Sequence, residues 1–293
     1  MRSWFLVTAA ATLIGAAPPA KLLTPNDIVA QSPASAWKAI PAEDLMILDL
    51  SNGGRVVVQL APAFAPVHVS NIRALTRGGY WKDATVYRVQ DNYVAQWGQN
   101  DLKQPPTGIN PKPPAEYTRP LKGLNVTPLG SPDPYAPGAG FADGWPVAYS
   151  AKDGWADLTH CYGSVGVGRD VAPDTGSGGE LYAVIGHGPR QLDRNIALVG
   201  RVIDGIDRLS TLPRGTEALG FYKDKAQYVP IAAVRLASDM PAAERLSYEY
   251  LDTASATFAQ YLKVRANRHD SFYNLSAGGV DLCNVQVPVR KKD

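Results

Sequence analysis

The stretch VYRVQDNYVAQWGQN, residues 86–100, decides the fold. Its two apolar halves flank QDN, a turn-forming tripeptide, so residues 85–98 are predicted to form two antiparallel strands. The first half contains Arg88 and the second contains Gln96. On residue types alone, Arg88 is either an exposed strand residue that forms a surface ion pair or a functional group, and the surrounding sequence has to decide between them.

The residues before this stretch predict a hairpin followed by a helix. In LMILDLSNGGRVVVQL, the apolar runs 45–50 and 55–60 flank SNGG, a strong turn signal. In residues 61–80, Val67, Ile72 and Leu75 recur at helical spacing, and Gly78 and Gly79 provide the C-terminal stop.

Strand patterns resume after residue 160. They occur in YGSVGVGRD, ELYAVIGH and IALVGRVIDG, and a short helix in IDGIDRLSTL precedes a closing strand over residues 229–237. The chain thus has about eight short strands and two helices. Because turns rather than helices join consecutive strands, the pattern predicts a mainly β protein with an antiparallel barrel or sandwich.

Three segments lie outside this pattern. Residues 101–160 hold 11 of the 24 prolines, and they are predicted to form a long surface insertion that is ordered in pieces. Residues 21–44 are polar and interrupted by prolines, which is typical of a short helix followed by a connector. Residues 238–293 form a C-terminal extension that we expect to be helical, because SATFAQYLKVRANR is amphipathic and Ser255 can cap it.

The first twenty residues, MRSWFLVTAAATLIGAAPPA, have the composition of a signal peptide. Arg2 precedes an apolar run that is too short to span a bilayer, and small residues allow cleavage near Ala17 or Ala20. We therefore expect an exported protein without stable membrane insertion, which in a bacterium means the periplasm. The net charge of +2 and the absence of long charged runs argue against a nucleic-acid partner.

Several familiar catalytic devices are missing from the sequence. Ser164 lacks the first glycine of a G-x-S-x-G elbow, no Walker loop occurs, and the four histidines lack paired ligand spacing, so we predict neither a metal nor a cofactor. Export permits a disulfide between Cys161 and Cys283, and two separate buried thiols are the alternative. The remaining candidates are the strand residues Arg88, Tyr93, Gln96, Val167, Leu181, Tyr182 and Leu192.

Six segments, in order, resemble the cyclophilin-type peptidyl-prolyl isomerases over roughly residues 45–237. They include VYRVQDNYVAQWGQN, PPAEY, LTHCYGSVGVGRD, TGSGGELYAVI and LDRNIALVGRVIDGID. The resemblance implies an eight-stranded antiparallel barrel with two capping helices, to which the insertion 101–160 and the C-terminal extension are added. It also implies an isomerase that acts on proline-containing polypeptides of exported proteins, without a cofactor, and we expect a monomer.

The resemblance assigns roles to individual residues. Arg88 corresponds to the catalytic arginine and Gln96 to the glutamine bonded to it, both on an open face of the barrel. The residues implied to bind substrate are Tyr93, Val167, Gly168, Glu180, Leu181, Tyr182, Leu192 and Ile196.

Three positions depart from the family pattern. Glu180 stands where glutamine is usual, Gln191 where an aromatic residue is usual, and Ile196 where histidine is usual. Glu180 is either a solvated loop carboxylate or a partner of Arg88 or of a substrate amide. The departures leave a second hypothesis, a weakly catalytic or non-catalytic chaperone module that binds proline peptides. A third is a structural partner in an envelope assembly, which would use the insertion 101–160 and the C-terminal helix as contact surfaces.

Overall fold

The computed structural model describes residues 22–99 and 108–292 of the chain. The helices within these residues are α1 (Pro25–Ala30), α2 (Pro66–Arg77), α3 (Asp207–Ser210) and α4 (Ala256–Ala266). The strands are β1 (Trp37–Ala39), β2 (Leu45–Leu50), β3 (Arg55–Leu60), β4 (Thr85–Val89), β5 (Val94–Gly98), β6 (Arg119–Pro120), β7 (Thr127–Pro128), β8 (Gly138–Ala142), β9 (Trp145–Ser150), β10 (Trp155–Leu158), β11 (Ser164–Val167), β12 (Glu180–Val184), β13 (Leu198–Asp204), β14 (Val229–Leu236), β15 (Tyr248–Leu251) and β16 (Val289–Lys291). The predicted signal peptide, residues 1–20, lies outside the described residues. Among the helices just named, none has the length and apolar character needed to cross a membrane.

The predicted hairpin is present as β2 and β3. Gly53 in its turn has a φ of 85°, a left-handed conformation that glycine adopts without a steric penalty. Leu48 pairs with Val56, and both side chains belong to the barrel core. Ile47 and Val57 point to the opposite face and are buried in a second core. Because both faces of the hairpin are covered, its strands are almost continuously apolar.

Eight strands close into a barrel in the order β11-β12-β5-β4-β14-β2-β3-β13. The pairings are antiparallel, as the turn-connected pattern predicts, so the mainly β antiparallel barrel is confirmed and a sandwich is excluded. Helix α2 ends before Gly78 and packs Val69, Ile72 and Leu75 into the barrel core, while the second predicted helix is the short α3.

The described part of the insertion is not the surface excursion that its proline content predicted. It forms a second antiparallel sheet in the order β6-β10-β9-β8-β7, in which Phe141 and Val147 are fully buried. Pro120 and Pro128 lie in its two-residue edge strands, where a missing N–H group costs little. Since prolines and glycines interrupt the alternation of apolar residues, the sequence pattern concealed this sheet.

The two terminal segments fold together rather than serving as a connector and a helical tail. Strand β1 pairs with β15, which pairs with β16. Helix α4 begins after Ser255, whose hydroxyl accepts a hydrogen bond from the Phe258 N–H, so the predicted cap is confirmed. Phe258 and Leu251 share a core with Ile47 and Val57 on the outer side of the barrel. Strands of three or four residues whose partners lie some two hundred residues away give almost no local signal.

Cys161 and Cys283 form a disulfide, with their Cα atoms 4.9 Å apart. The structure therefore favours the bridge over two separate thiols. The bridge joins the segment just before β11 to the C-terminal extension, and it spans 122 positions of the sequence.

Asp157 on β10 is a buried carboxyl group, only 2% exposed, and neither of its oxygens has a hydrogen-bond partner among the described residues. Burial, and then the neighbouring carboxylate of Asp193, raises the pKa of Asp157 from 3.8 to about 8. The folded state thus keeps a proton that the unfolded chain releases. This contribution to stability is fully present below pH 3.8 and is lost as the pH rises towards about 8.

We expect Asp157→Asn to remove this pH dependence, because the amide has the shape of the protonated acid and stays neutral. Relative to wild type, the free energy of unfolding of the variant should increase by about 4 kcal/mol between about pH 5 and about pH 8, because wild type loses about 1.4 kcal/mol for each pH unit over which only its folded state holds the proton. Urea denaturation at both pH values measures the difference, with the exposed Asp83→Asn as the control. Parallel pH profiles for wild type and Asp157→Asn would contradict the expectation.

Candidate active site

A β-bulge in β4 places two successive side chains on the outer face of the barrel. The register between β4 and β5 shifts between Val86 and Arg88, so Tyr87 is the extra residue. Val86 and Val89 pack in the barrel core, whereas Tyr87 and Arg88 both line an external groove. The bulge explains how an arginine can lie within an apolar strand without entering the core.

The guanidinium of Arg88 is held by three uncharged acceptors. Its Nε donates to the Leu219 carbonyl at 2.7 Å, its Nη1 to Oε1 of Gln96 at 2.9 Å, and its Nη2 to Oε1 of Gln90 at 2.5 Å. A guanidinium has five N–H donors, so these bonds leave two for a ligand. Within residues 22–99 and 108–292, no carboxylate lies at ion-pair distance from Arg88, so it is not the surface ion pair that its residue type allowed.

Gln96 connects Arg88 to the buried Tyr87 and the half-buried Glu180. The Nε2 of Gln96 donates to the Tyr87 hydroxyl at 2.6 Å and to Oε2 of Glu180 at 3.1 Å, and that hydroxyl donates to the same Oε2 at 2.9 Å. With both ends of the amide engaged, Gln96 has one orientation. Burial, and then the charge of Glu180, raises the pKa of Tyr87, which stays a donor. Glu180 is thus neither a solvated loop carboxylate nor a direct partner of Arg88.

Tyr182 lies beside Gln96 on the neighbouring strand β12. Its ring crosses Gly166 of β11, where an added Cβ would lie 2.3 Å from the phenol oxygen, so glycine is required for this close approach. The Tyr182 hydroxyl is 2.9 Å from Nε2 of His160, and Nδ1 of His160 is 2.9 Å from a carboxylate oxygen of Asp193. These bonds fix the ring from behind.

The groove has a volume of about 1090 Å³ and an apolar part beside Arg88. Val167 is fully buried and forms part of both the barrel core and the groove wall. Gly168 also lines the groove, and its N–H donates to the Glu180 carbonyl at 2.8 Å. The other predicted site residues that line the groove with Arg88, Gln96 and Glu180 are Tyr93, Tyr182, Leu192 and Ile196.

Leu181 is the one predicted site residue that the structure places elsewhere. It is 1% exposed and packs in the barrel core, because side chains alternate along β12 and its neighbours Glu180 and Tyr182 face the groove. Its inclusion among the substrate-binding residues was therefore wrong.

The loop after α3 supplies two groove residues that the sequence did not single out. The ring of Phe221 stacks on Tyr87 with centroids 6.0 Å apart, and it lies 5.4 Å from Cζ of Arg88. Leu219 provides the carbonyl for Arg88 and has a φ of 59°, a left-handed conformation that is uncommon for leucine. The loop has no periodic pattern, and the adjacent aromatic residues Phe221 and Tyr222 in LGFYKD were the available signal.

The groove therefore combines a fixed cation with an apolar wall that opens to solvent. Burial lowers the pKa of Arg88, but a guanidinium remains charged at neutral pH. Such a site can take an apolar side chain of an extended polypeptide and donate hydrogen bonds to the adjacent backbone. In the part of the chain that the structure describes, no cluster of three or more His, Cys, Asp or Glu residues could hold a metal ion.

Comparisons with known proteins agree with this geometry. The family model described as "Cyclophilin type peptidyl-prolyl cis-trans isomerase/CLD" matches residues 45–236. Proteins from Brucella suis and Brucella abortus, each named "Probable peptidyl-prolyl cis-trans isomerase", are 26% identical over 180 residues, which cover 61% of this chain and 76% of each relative.

A solved structure extends the likeness of fold beyond the barrel. The crystal structure of cyclophilin AquaCyp293 from Hirschia baltica has a TM-score of 0.70 and 21% identity, covering 92% of this chain and 98% of that chain. The family model matches more than half of the sequence and ends where the barrel ends. This chain therefore belongs to the family of cyclophilin-type peptidyl-prolyl cis-trans isomerases.

Proposed function

We propose that the groove catalyses cis–trans rotation about X-Pro bonds, with Arg88 as the catalytic residue and Gln96 as the residue that positions it. One observation carries the proposal. The Arg88 guanidinium is fixed by three uncharged acceptors beside an apolar wall, and two of its donors are left for a ligand.

The reaction needs an electrostatic catalyst and no nucleophile. Rotation is slow because resonance gives the peptide bond partial double-bond character, with a barrier of ~18–20 kcal/mol. In the twisted state the prolyl nitrogen loses conjugation and becomes basic. Hydrogen bonds from Arg88 to that nitrogen and to the neighbouring carbonyl strengthen as conjugation is lost, so they stabilise the transition state more than the bound substrate.

The surrounding residues support this role by fixing the cation and the proline ring. Since Gln96 and the Leu219 carbonyl hold Arg88 before substrate arrives, little reorganisation is needed during the reaction. The apolar wall excludes water from one side of the guanidinium, which strengthens its interactions. The proline ring would pack against Tyr93, Val167, Tyr182, Leu192 and Ile196.

The test is two-dimensional NMR exchange spectroscopy on a short Ala-Pro peptide. Substoichiometric protein should increase the exchange rate between the cis and trans signals, in proportion to protein concentration. Chemical-shift changes without faster exchange would contradict the proposal and would instead favour the binding module. That second candidate is motivated by Glu180, whose carboxylate takes a hydrogen bond from the same amide that orients Arg88.

We expect Glu180→Gln to increase the catalysed exchange rate about threefold to tenfold. The glutamine oxygen can still accept from Tyr87 and Gln96, whereas the negative charge that weakens the potential of Arg88 is removed. The same exchange measurement checks this, and Glu244→Gln, an exposed carboxylate outside the groove, is the matched control. An unchanged or lower rate in Glu180→Gln would show that the carboxylate does not oppose catalysis.

We also propose that the substrates are exported proteins. The composition of residues 1–20 and the bridge between Cys161 and Cys283 support an oxidising compartment. Expression in a bacterium followed by mass spectrometry of the periplasmic fraction should find a mature chain that begins shortly after Ala17 or Ala20. An uncleaved chain in the cytoplasm would contradict this part of the proposal.

A further inference from the structure

A second cavity, separate from the groove around Arg88, lies between the barrel and the terminal segments. Its volume of about 660 Å³ is within the range of small-molecule sites. Its walls come from α1, the start of β9, strand β13, helix α4 and residues 282–289 of the extension. No residue lines both this cavity and the groove.

Much of the wall is apolar, with contributions from Val29, Trp145 and Ile203 among others. Two hydroxyl groups of the wall are bonded within the protein. The Tyr261 hydroxyl donates to the Gln286 carbonyl at 2.9 Å, and the Ser164 hydroxyl donates to a backbone carbonyl at 2.8 Å.

Arg201, on the outer face of β13, brings an uncompensated cation to this wall. Its Nε donates to Oε1 of Gln59 at 3.0 Å, and its Cζ lies 4.8 Å from the ring centroid of Trp145. Its Nη2 is shielded from solvent and has no hydrogen-bond partner among the described residues. Burial lowers the pKa of Arg201 to about 10, so the group is still charged at neutral pH. Arg201 as a whole is half-buried and lines the cavity. A cation that is partly removed from water without an anion is unfavourable, and a bound anion would compensate it.

The chemistry of the wall defines the ligand. A neutral apolar molecule would leave the guanidinium uncompensated, whereas a carboxylate can accept a charge-assisted hydrogen bond from it. The second charged group of the wall is Asp204, which accepts from Tyr248 at 2.7 Å and disfavours a ligand with more than one negative charge. The apolar remainder suits a hydrocarbon chain.

We propose that this cavity binds a small monocarboxylate with an apolar chain, such as a medium-chain fatty acid, with its carboxylate on Arg201. The site is independent of the proposed catalysis. Arg88→Ala should therefore bind the same ligand as tightly as wild type does.

Isothermal titration with decanoate tests the proposal. Wild type should bind decanoate, and Arg201→Met should weaken the affinity by about thirtyfold or more, because the buried carboxylate loses its partner. Decanol should bind wild type at least about tenfold more weakly than decanoate does. The control is Arg235→Met, which removes an arginine that pairs with Asp49 outside the cavity. No binding to wild type, or equal affinities for decanoate and decanol, would overturn the proposal.

A second measurement keeps the test valid if Arg201→Met does not fold. Decanoate with a bromine on its terminal carbon should quench the fluorescence of Trp145, which lies in the cavity wall. Trp145→Phe should abolish most of this quenching while decanoate still binds. Quenching that persists in Trp145→Phe would place the ligand elsewhere and overturn the assignment.

Discussion

Arg88→Ala is expected to lower the catalysed exchange rate of an Ala-Pro peptide by about a hundredfold to a thousandfold. This is the range observed when one preorganised donor to a developing charge is removed from an active site. In this groove Arg88 is the cation that contacts the apolar wall on one side and Gln96 on the other. Alanine removes both of the donors that are left for the substrate, and water in an open groove cannot replace their fixed orientation.

The fold should survive this substitution. The three acceptors of Arg88 belong to residues that line the groove, so water can take the place of the guanidinium in the alanine variant, and the free energy of unfolding should change by about 1 kcal/mol or less. Peptide binding should weaken much less than the rate falls, because the apolar wall remains. NMR titration and exchange on the same samples separate these two quantities.

Two further variants identify what Arg88 contributes. Arg88→Lys keeps the charge but loses the planar fork, so its rate should lie between those of wild type and Arg88→Ala. Arg169→Ala removes another groove arginine, which is half-buried and bonded only to backbone carbonyls, and the rate should stay within about threefold of wild type. Equal rates for wild type and Arg88→Ala would refute the proposed role.

The barrel could be predicted from the sequence because its signals are local. The SNGG turn sets the register of the first hairpin, and the glycine pair after residue 77 ends α2. The second sheet and the sheet of β1, β15 and β16 could not be predicted, because many of their strands are very short. In the second sheet, prolines in the edge strands also interrupt the strand pattern. The pairing of β1 with β15 joins residues about two hundred positions apart, and no window along the chain contains that information.

The site residues that belong to a sequence motif could be predicted, whereas the contacts that depend on backbone geometry could not. Arg88 and Gln96 stand out as polar residues in apolar strands. The bulge at Tyr87 cannot be derived from a period of two, and so the hydrogen bonds from Tyr87 and Gln96 to Glu180 were not foreseen. Leu181 was misassigned although a period of two applies to β12. Because side chains alternate along this strand, Leu181 faces the core while Tyr182 faces the groove.

Removal of the disulfide is expected to have the largest effect on stability. Cys161 and Cys283 are separated by 122 positions, and closing a loop of this length restricts the unfolded chain by about 5 kcal/mol in the chain-entropy description. The loop contains strands β11–β15, so a large part of the barrel lies within it. The free energy of unfolding of Cys161→Ala/Cys283→Ala should therefore fall by about 4–5 kcal/mol, measured by urea denaturation.

Reduced wild type separates the restraint from the packing of the sulfur atoms. Both the double variant and wild type kept in a reductant lack the bond, but only the double variant lacks the sulfur atoms. Cys161 is 7% exposed, so loss of its sulfur atom leaves a cavity. If loop closure dominates, the two should unfold within about 1 kcal/mol of each other, and both well below oxidised wild type. A reductant that leaves the unfolding of wild type unchanged would show that the bridge does not restrain the unfolded chain. A loss confined to the double variant would instead assign the effect to the cavity left by the sulfur atoms.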